Sequence, residues 1–243
     1  MTGAEWRACG DPDELFEYLR NSNAVSQRKC RLFATACCHR VLDLCPERQA
    51  FEVAVETAEL FADGLRSQQD LLDAGEVLEI IESRLDPEDG EVDSVELDAR
   101  YHAMQVVSQA ACSDSADCPY VYRMCDVVMH AAYVAGFRVA SPSVDTVAWN
   151  RAEVAERRLL ARFVREVFVD PFRSSPLIPE WRTRTAVLLA RQMYESRDFS
   201  AMPILADALQ DAGCDSADIL DHCRGPGPHV RGCWCVDLIL GNS

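Results

Sequence analysis

The residues best suited to chemistry lie in one short stretch: Asp218, His222, Cys223, His229, Cys233 and Cys235. Thiolate and imidazole are the donors that zinc takes in closed, four-coordinate structural sites. On a helix, His222 would stand one turn after Asp218 on the same face. The segment Arg224-Gly-Pro-Gly-Pro-His-Val-Arg-Gly232 has turn-forming composition and can bend His229 and Cys233 back toward Cys223. The expected ligand set is therefore His222, Cys223, His229 and Cys233. The order His-Cys-x5-His-x3-Cys is not a standard finger or ribbon spacing, so the donor types carry the expectation more than their register. Cys235 depends on local structure: on a strand it shares a face with Cys233, whereas on a helix the two diverge and only one can ligate.

The same stretch has other readings. Arg224, His229 and Arg231 flank two glycines whose N–H groups could form a nest for a small anion, although the order of a phosphate loop is absent. An enzyme could use Cys223 or Cys233 as nucleophile, His222 or His229 as base and Asp218 as orienting group. No Gly-x-Ser-x-Gly, His-Glu-x-x-His or dinucleotide fingerprint supports that alternative. In the plainest reading the glycine-proline loop is a rigid lid and the cysteines fill core.

Elsewhere, Cys30, Cys37 and Cys45 are seven and eight residues apart, the recurrence of a buried helix face. Cys38 points about 100° away from Cys37, which leaves it, with His39, as a candidate for soft-metal or redox chemistry. Cys112 and Cys118 bracket a polar loop, with Cys125 seven further on; a disulfide there is disfavoured in a reducing compartment. His102 and His130 sit in Ala-rich helical stretches and are expected to be core or interface histidines, with Asp126 four residues before His130 as a candidate acid–base partner.

The elements that must position these groups are helical nearly throughout. Asp11-Pro12 opens one helix, Ser26 caps a long one reaching Cys45, Pro46 starts another, and a further one runs from Ser67 to about Ser83. Tyr101–Ala111, Tyr120–Phe137, Asp145–Val169, Thr183–Glu195, Ser200–Ala212 and Ala217–Cys223 follow, and Cys233–Leu240 reads as either strand or helix. The expected fold is mostly α, a multi-helix orthogonal bundle or irregular helical array forming a single large domain over 1–243. The acidic stretch 86–98 is its candidate internal boundary.

Composition bounds the partners. The chain has 243 residues, 49% hydrophobic, with 24 Lys+Arg against 40 Asp+Glu and a net charge of -16. That sign disfavours a nucleic-acid backbone and leaves a basic protein partner as the macromolecular option. Twelve cysteines are about 5% of the chain, short of a disulfide scaffold. The most membrane-like stretch, Val121–Ala140, is broken by Arg123, Asp126, His130 and Arg138. With no basic n-region or apolar h-region after Met1, a cytoplasmic location is expected.

The blocks Ile204–Cys214 and Asp218–Gly241, with Glu5-Trp6, Arg31-Leu-Phe-Ala34, Cys37-Cys38 and Asp170-Pro-Phe-Arg173, resemble a paralogous protein family of planctomycete-type bacteria with a C-terminal HCRGPGPHVRGCW-like motif. The resemblance implies no activity, ligand or catalytic residue. Where this chain has Cys235 the family usually carries an apolar residue, which favours Cys233 as the ligand.

Overall fold

A computed structural model describes residues 1–22, 25–84, 94–112, 123–141, 143–172 and 179–242. These form packed α-helices, and no strand occurs among the described residues. The helices are α1 (Gly3–Ala8), α2 (Pro12–Asn21), α3 (Gln27–Cys38), α4 (Arg48–Ala62), α5 (Gln68–Ser83), α6 (Ser94–Ala111), α7 (Arg123–Phe137), α8 (Thr146–Val167), α9 (Arg184–Ser196), α10 (Met202–Asp211), α11 (Ala217–Arg224) and α12 (Trp234–Leu240). None is long and apolar enough to cross a membrane. The chain divides into two compact units, Ala8–Val164 and Met1–Arg7 with Arg165–Ser243. Most of the acidic stretch 86–98, the Cys118 loop and the whole of the 173–178 connection lie outside the described residues.

In the larger unit α3 is buried along its whole length from Cys30 to Cys38 and packs against α4, α6 and α7. Ser26 caps its start, accepting from Lys29 N at 3.2 Å. The helix stops at Cys38, earlier than the apolar spacing predicts, and Leu42–Leu44 forms a separate 3-10 turn. Arg31 explains how α6 ends against it: its buried guanidinium donates to Ala110 O at 2.7 Å and Cys112 O at 2.9 Å, carbonyls left without helical partners. Ser67 and Asp70 form a reciprocal capping box on α5.

The smaller unit packs α9 against α10 and α12, and α10 against α11. Trp181, Met193, Leu205, Leu209, Trp234 and Ile239 form the centre of its core. Arg182 closes the C-terminal end of α12, donating to Ile239 O at 2.8 Å and Leu240 O at 3.1 Å. The last turn of α8, carrying Glu166, belongs to this unit.

Within the larger unit, Gly136 on α7 lies flat against the Trp149 indole, and a Cβ there would stand 2.5 Å from Trp149 Cε2. Gly136→Ala should destabilise the protein by about 1–3 kcal/mol through overpacking, against roughly 1 kcal/mol gained in helix propensity. A urea midpoint equal to or above the parent's at unchanged slope would contradict this packing.

Candidate metal centre

Four side chains from separate segments of the smaller unit converge: Glu166 from the last turn of α8, His222 from the last turn of α11, His229 from the loop, and Cys233 at the N-cap of α12. One ligand atom from each lies within 4.8 Å of all the others. His229 Nδ1 is 2.9 Å and His222 Nε2 is 3.6 Å from Glu166 Oε1, and His222 Nε2 is 3.2 Å from Cys233 Sγ. Ligands of one tetrahedral zinc stand roughly 3.3 Å apart for nitrogen and oxygen and roughly 3.6 Å where sulfur is one partner. The cluster is therefore capable of coordinating a metal ion. Among the described residues it is the one group of three or more such side chains.

Local structure explains the convergence. Gly227 has φ +74°, and a Cβ there would lie 2.8 Å from His229 N, so the loop can turn His229 inward only with glycine at this position. The His222 ring packs against Trp234 at 4.7 Å and edge-on to His229 at 5.0 Å, which fixes both imidazole planes.

The environment is dry. Cys233 is fully buried, and the side chains of Glu166, His229 and His222 keep 6%, 9% and 14% of their exposure. Burial by itself would raise the Glu166 pKa, but hydrogen bonds from His222 and His229 outweigh it and hold the carboxyl at about 2. Burial, reinforced by the Glu166 charge, pushes the Cys233 thiol well above its ordinary value. His229 Nε2 is buried and has no hydrogen-bond partner among the described residues. An orphaned ring nitrogen in such a place marks polar capacity that the protein's own atoms leave unused.

Of the sequence-derived ligand set, the structure brings together His222, His229 and Cys233. Cys223 lies outside the cluster, its Sγ 3.4 Å from Cys235 Sγ in the core. Glu166 takes the fourth place. Residues 234–240 are helical, so Cys233 and Cys235 diverge and only Cys233 reaches the cluster. Asp218 is exposed and stands apart from it. The cations proposed for a nest have separate engagements. Arg224 donates to Asp207 at 3.0 Å and Gln210 at 2.7 Å, and Arg231 lies over the Tyr194 ring at 4.6 Å.

Cys37 and Cys38 behave as core thiols. Burial raises Cys37 and Cys38 well above the ordinary thiol value, and Cys38 Sγ faces Val106 O at 3.6 Å. His39 follows the end of α3 with its Nε2 3.0 Å from Glu59 Oε1. Cys112 Sγ accepts from Arg123 Nη1 at 2.8 Å. In the larger unit His130 meets His102, Nδ1 to Nδ1 at 2.7 Å. Burial, then the neighbouring His130, lowers His102 to about 4, and burial lowers His130. No family model, curated protein or solved structure matches the chain.

Two outcomes are expected of chelator-treated protein. Glu166→Gln removes the charge that both imidazoles engage and should cost about 1.5–3 kcal/mol, the range for hydrogen bonds to a charged group, seen as a lower urea midpoint. The second concerns His102, which charges less readily folded than unfolded. Between pH about 6.5 and 4 the unfolded chain binds more protons, so stability should fall as pH is lowered through that window. The parent's stability relative to His102→Phe should fall as pH is lowered across it; a constant difference would sink this assignment.

Proposed function

We propose that the Glu166, His222, His229 and Cys233 cluster binds one zinc ion as a closed structural site, and that the chain is a zinc-stabilised helical interaction module. The observation that carries this is the convergence of two imidazoles, one thiol and one carboxylate within 4.8 Å. Mixed nitrogen, sulfur and oxygen donors suit zinc, and four protein ligands complete a tetrahedron. Metal binding replaces the Cys233 proton, so thiolate forms as the ion enters.

The role is cross-linking. The ion ties the end of α8, the end of α11, the glycine-proline loop and the start of α12 in a unit of under about 90 residues, where a single apolar core supplies limited stability. The eleven described cysteines are free thiols, which supports a reducing, cytoplasmic setting. The net charge of -16 supports a basic protein partner. Enclosure of Cys233 supports a structural role over nucleophilic attack, since its thiol is fully buried.

Elemental analysis of anaerobically purified protein should find near one equivalent of zinc. His222→Ala, His229→Ala, Cys233→Ser and Glu166→Ala should each lose it, and Cys223→Ser should keep it. Chelation should lower the melting temperature of the parent, because a ligand at about 1,000 times its Kd stabilises by roughly 4 kcal/mol. Loss of metal in Cys223→Ser with retention in Glu166→Ala would instead favour the ligand set read from the sequence. Metal-free parent protein that melts cooperatively and takes up no added zinc would overturn the proposal.

A further inference from the structure

The larger unit pairs two histidines, each with an aspartate four residues before it in sequence. Helix α6 carries Asp98-Ala-Arg-Tyr-His102 and α7 carries Asp126-Val-Val-Met-His130, the same Asp-x3-His register on two packed helices. His102 meets His130, while Arg123 Nη1 reaches Gln109 Oε1 at 3.4 Å and Cys112 Sγ at 2.8 Å, so the helices run antiparallel. Each aspartate lies one turn, about 6 Å along the axis, from its own histidine. The two carboxylates thus flank the imidazole pair from opposite ends. Both aspartates are exposed, whereas both histidines are part-buried.

Aromatic neighbours hold the imidazoles in place. His102 stacks on Phe137 at 5.7 Å with an 18° interplanar angle, and stands edge-on to Tyr133 at 5.0 Å and Tyr101 at 5.4 Å. His130 stands edge-on to Tyr101 at 6.3 Å. Trp149 packs behind them against Tyr133 and Phe137. Two imidazole nitrogens on one metal ion stand roughly 2.9–3.4 Å apart, so the 2.7 Å pair needs to open by only a few tenths of an ångström. Ordered ligand rings reduce what binding must fix.

We propose that His102 and His130, supplemented by Asp98 and Asp126, form a binding site for a divalent first-row transition-metal ion that takes nitrogen and oxygen donors. The donor set contains no thiol, which separates it chemically from the Cys233 cluster and directs it to ions tolerant of mixed imidazole and carboxylate ligation. An ion here links α6 to α7 near the middle of both helices. This site is independent of the zinc reading and stands or falls separately.

The test uses the full chain, given one equivalent of zinc and then dialysed against Co(II), with both metals quantified. Zinc outcompetes cobalt at the tighter cluster by the usual order of affinities. The parent should take up about one equivalent of cobalt without sulfur-to-cobalt charge-transfer absorption. His102→Gln and His130→Gln should each weaken that uptake at least tenfold, Asp98→Asn or Asp126→Asn severalfold, and bound zinc should stay unchanged in all four. Cobalt in the parent should also broaden the ring proton resonances of Tyr101, Tyr133 and Phe137, a readout that needs no variant. The proposal is overturned by a parent that takes up no cobalt, by uptake that survives both histidine substitutions, by thiolate charge-transfer bands, or by unbroadened rings with cobalt bound.

Discussion

A carboxylate buried in a mostly apolar unit must be matched by hydrogen-bond donors or it unfolds what surrounds it. The smaller unit buries Glu166, Asp170 and Asp237, and Glu166 is the one whose partners lie in the candidate metal centre. His222 and His229 both engage its Oε1, one from the short helix α11 and the other from an irregular loop. The depressed Glu166 pKa is the electrostatic expression of the same arrangement, since the attraction of both imidazoles exceeds the penalty of burial. Position and charge therefore determine each other here. The loop is where it is because the carboxylate needs His229, and the carboxylate stays ionised because the loop delivers it.

Such a cluster is incomplete as a purely hydrogen-bonded object. Four ligand-type atoms crowd together, but a thiol held protonated by burial and a ring nitrogen left without a partner contribute poorly to a network of neutral and anionic groups. His229 turns Nδ1, not the unpartnered Nε2, toward Glu166, so of the two defects a divalent cation resolves that of the thiol. The cation converts the thiol to thiolate, balances the charge of Glu166, and draws the imidazole lone pairs inward. That the same atoms already lie within 4.8 Å of one another means the protein scaffold, with Gly227 and the Trp234 ring, carries much of the ordering before any ion arrives.

The fold was largely legible in the sequence because helical burial writes itself into apolar spacing. Ser26, Ser67 and Thr183 cap where their side chains lead one to expect, and the 22-residue α8 appears within a few residues of its expected bounds. The early end of α3 was not legible, since Val41 and Cys45 continue the apolar spacing while the backbone turns at His39. At the site, three of the four clustered residues were readable from donor type alone. Glu166 was missed because it lies more than fifty residues away in sequence, but it left a trace. It stands three residues after Phe163 and next to Val167, an acid on the buried stripe of the helix, and such a position calls for a partner. Cys223 was misplaced for a related reason: adjacent residues on a helix point about 100° apart, so His222 and Cys223 cannot readily serve one ion.

That angular argument also accounts for the unusual number of cysteines. A helix of this size range buries small side chains where neighbours approach closely, and a thiol fills such a place with slightly more bulk than alanine and no need for a strong hydrogen bond. Cys30, Cys37, Cys38, Cys223 and Cys235 all occupy fully buried positions of that kind. Cys233 is equally buried, so burial alone does not separate a ligand from a core residue. What separates it is the company of its sulfur. Cys223 and Cys235 face each other, Cys38 faces a backbone carbonyl, and Cys233 faces an imidazole beside an ionised carboxylate. In a thiol-rich helical protein the chemistry therefore follows from the nearest nitrogen and oxygen atoms, and cysteine spacing carries less of the information than the position of a single buried glutamate.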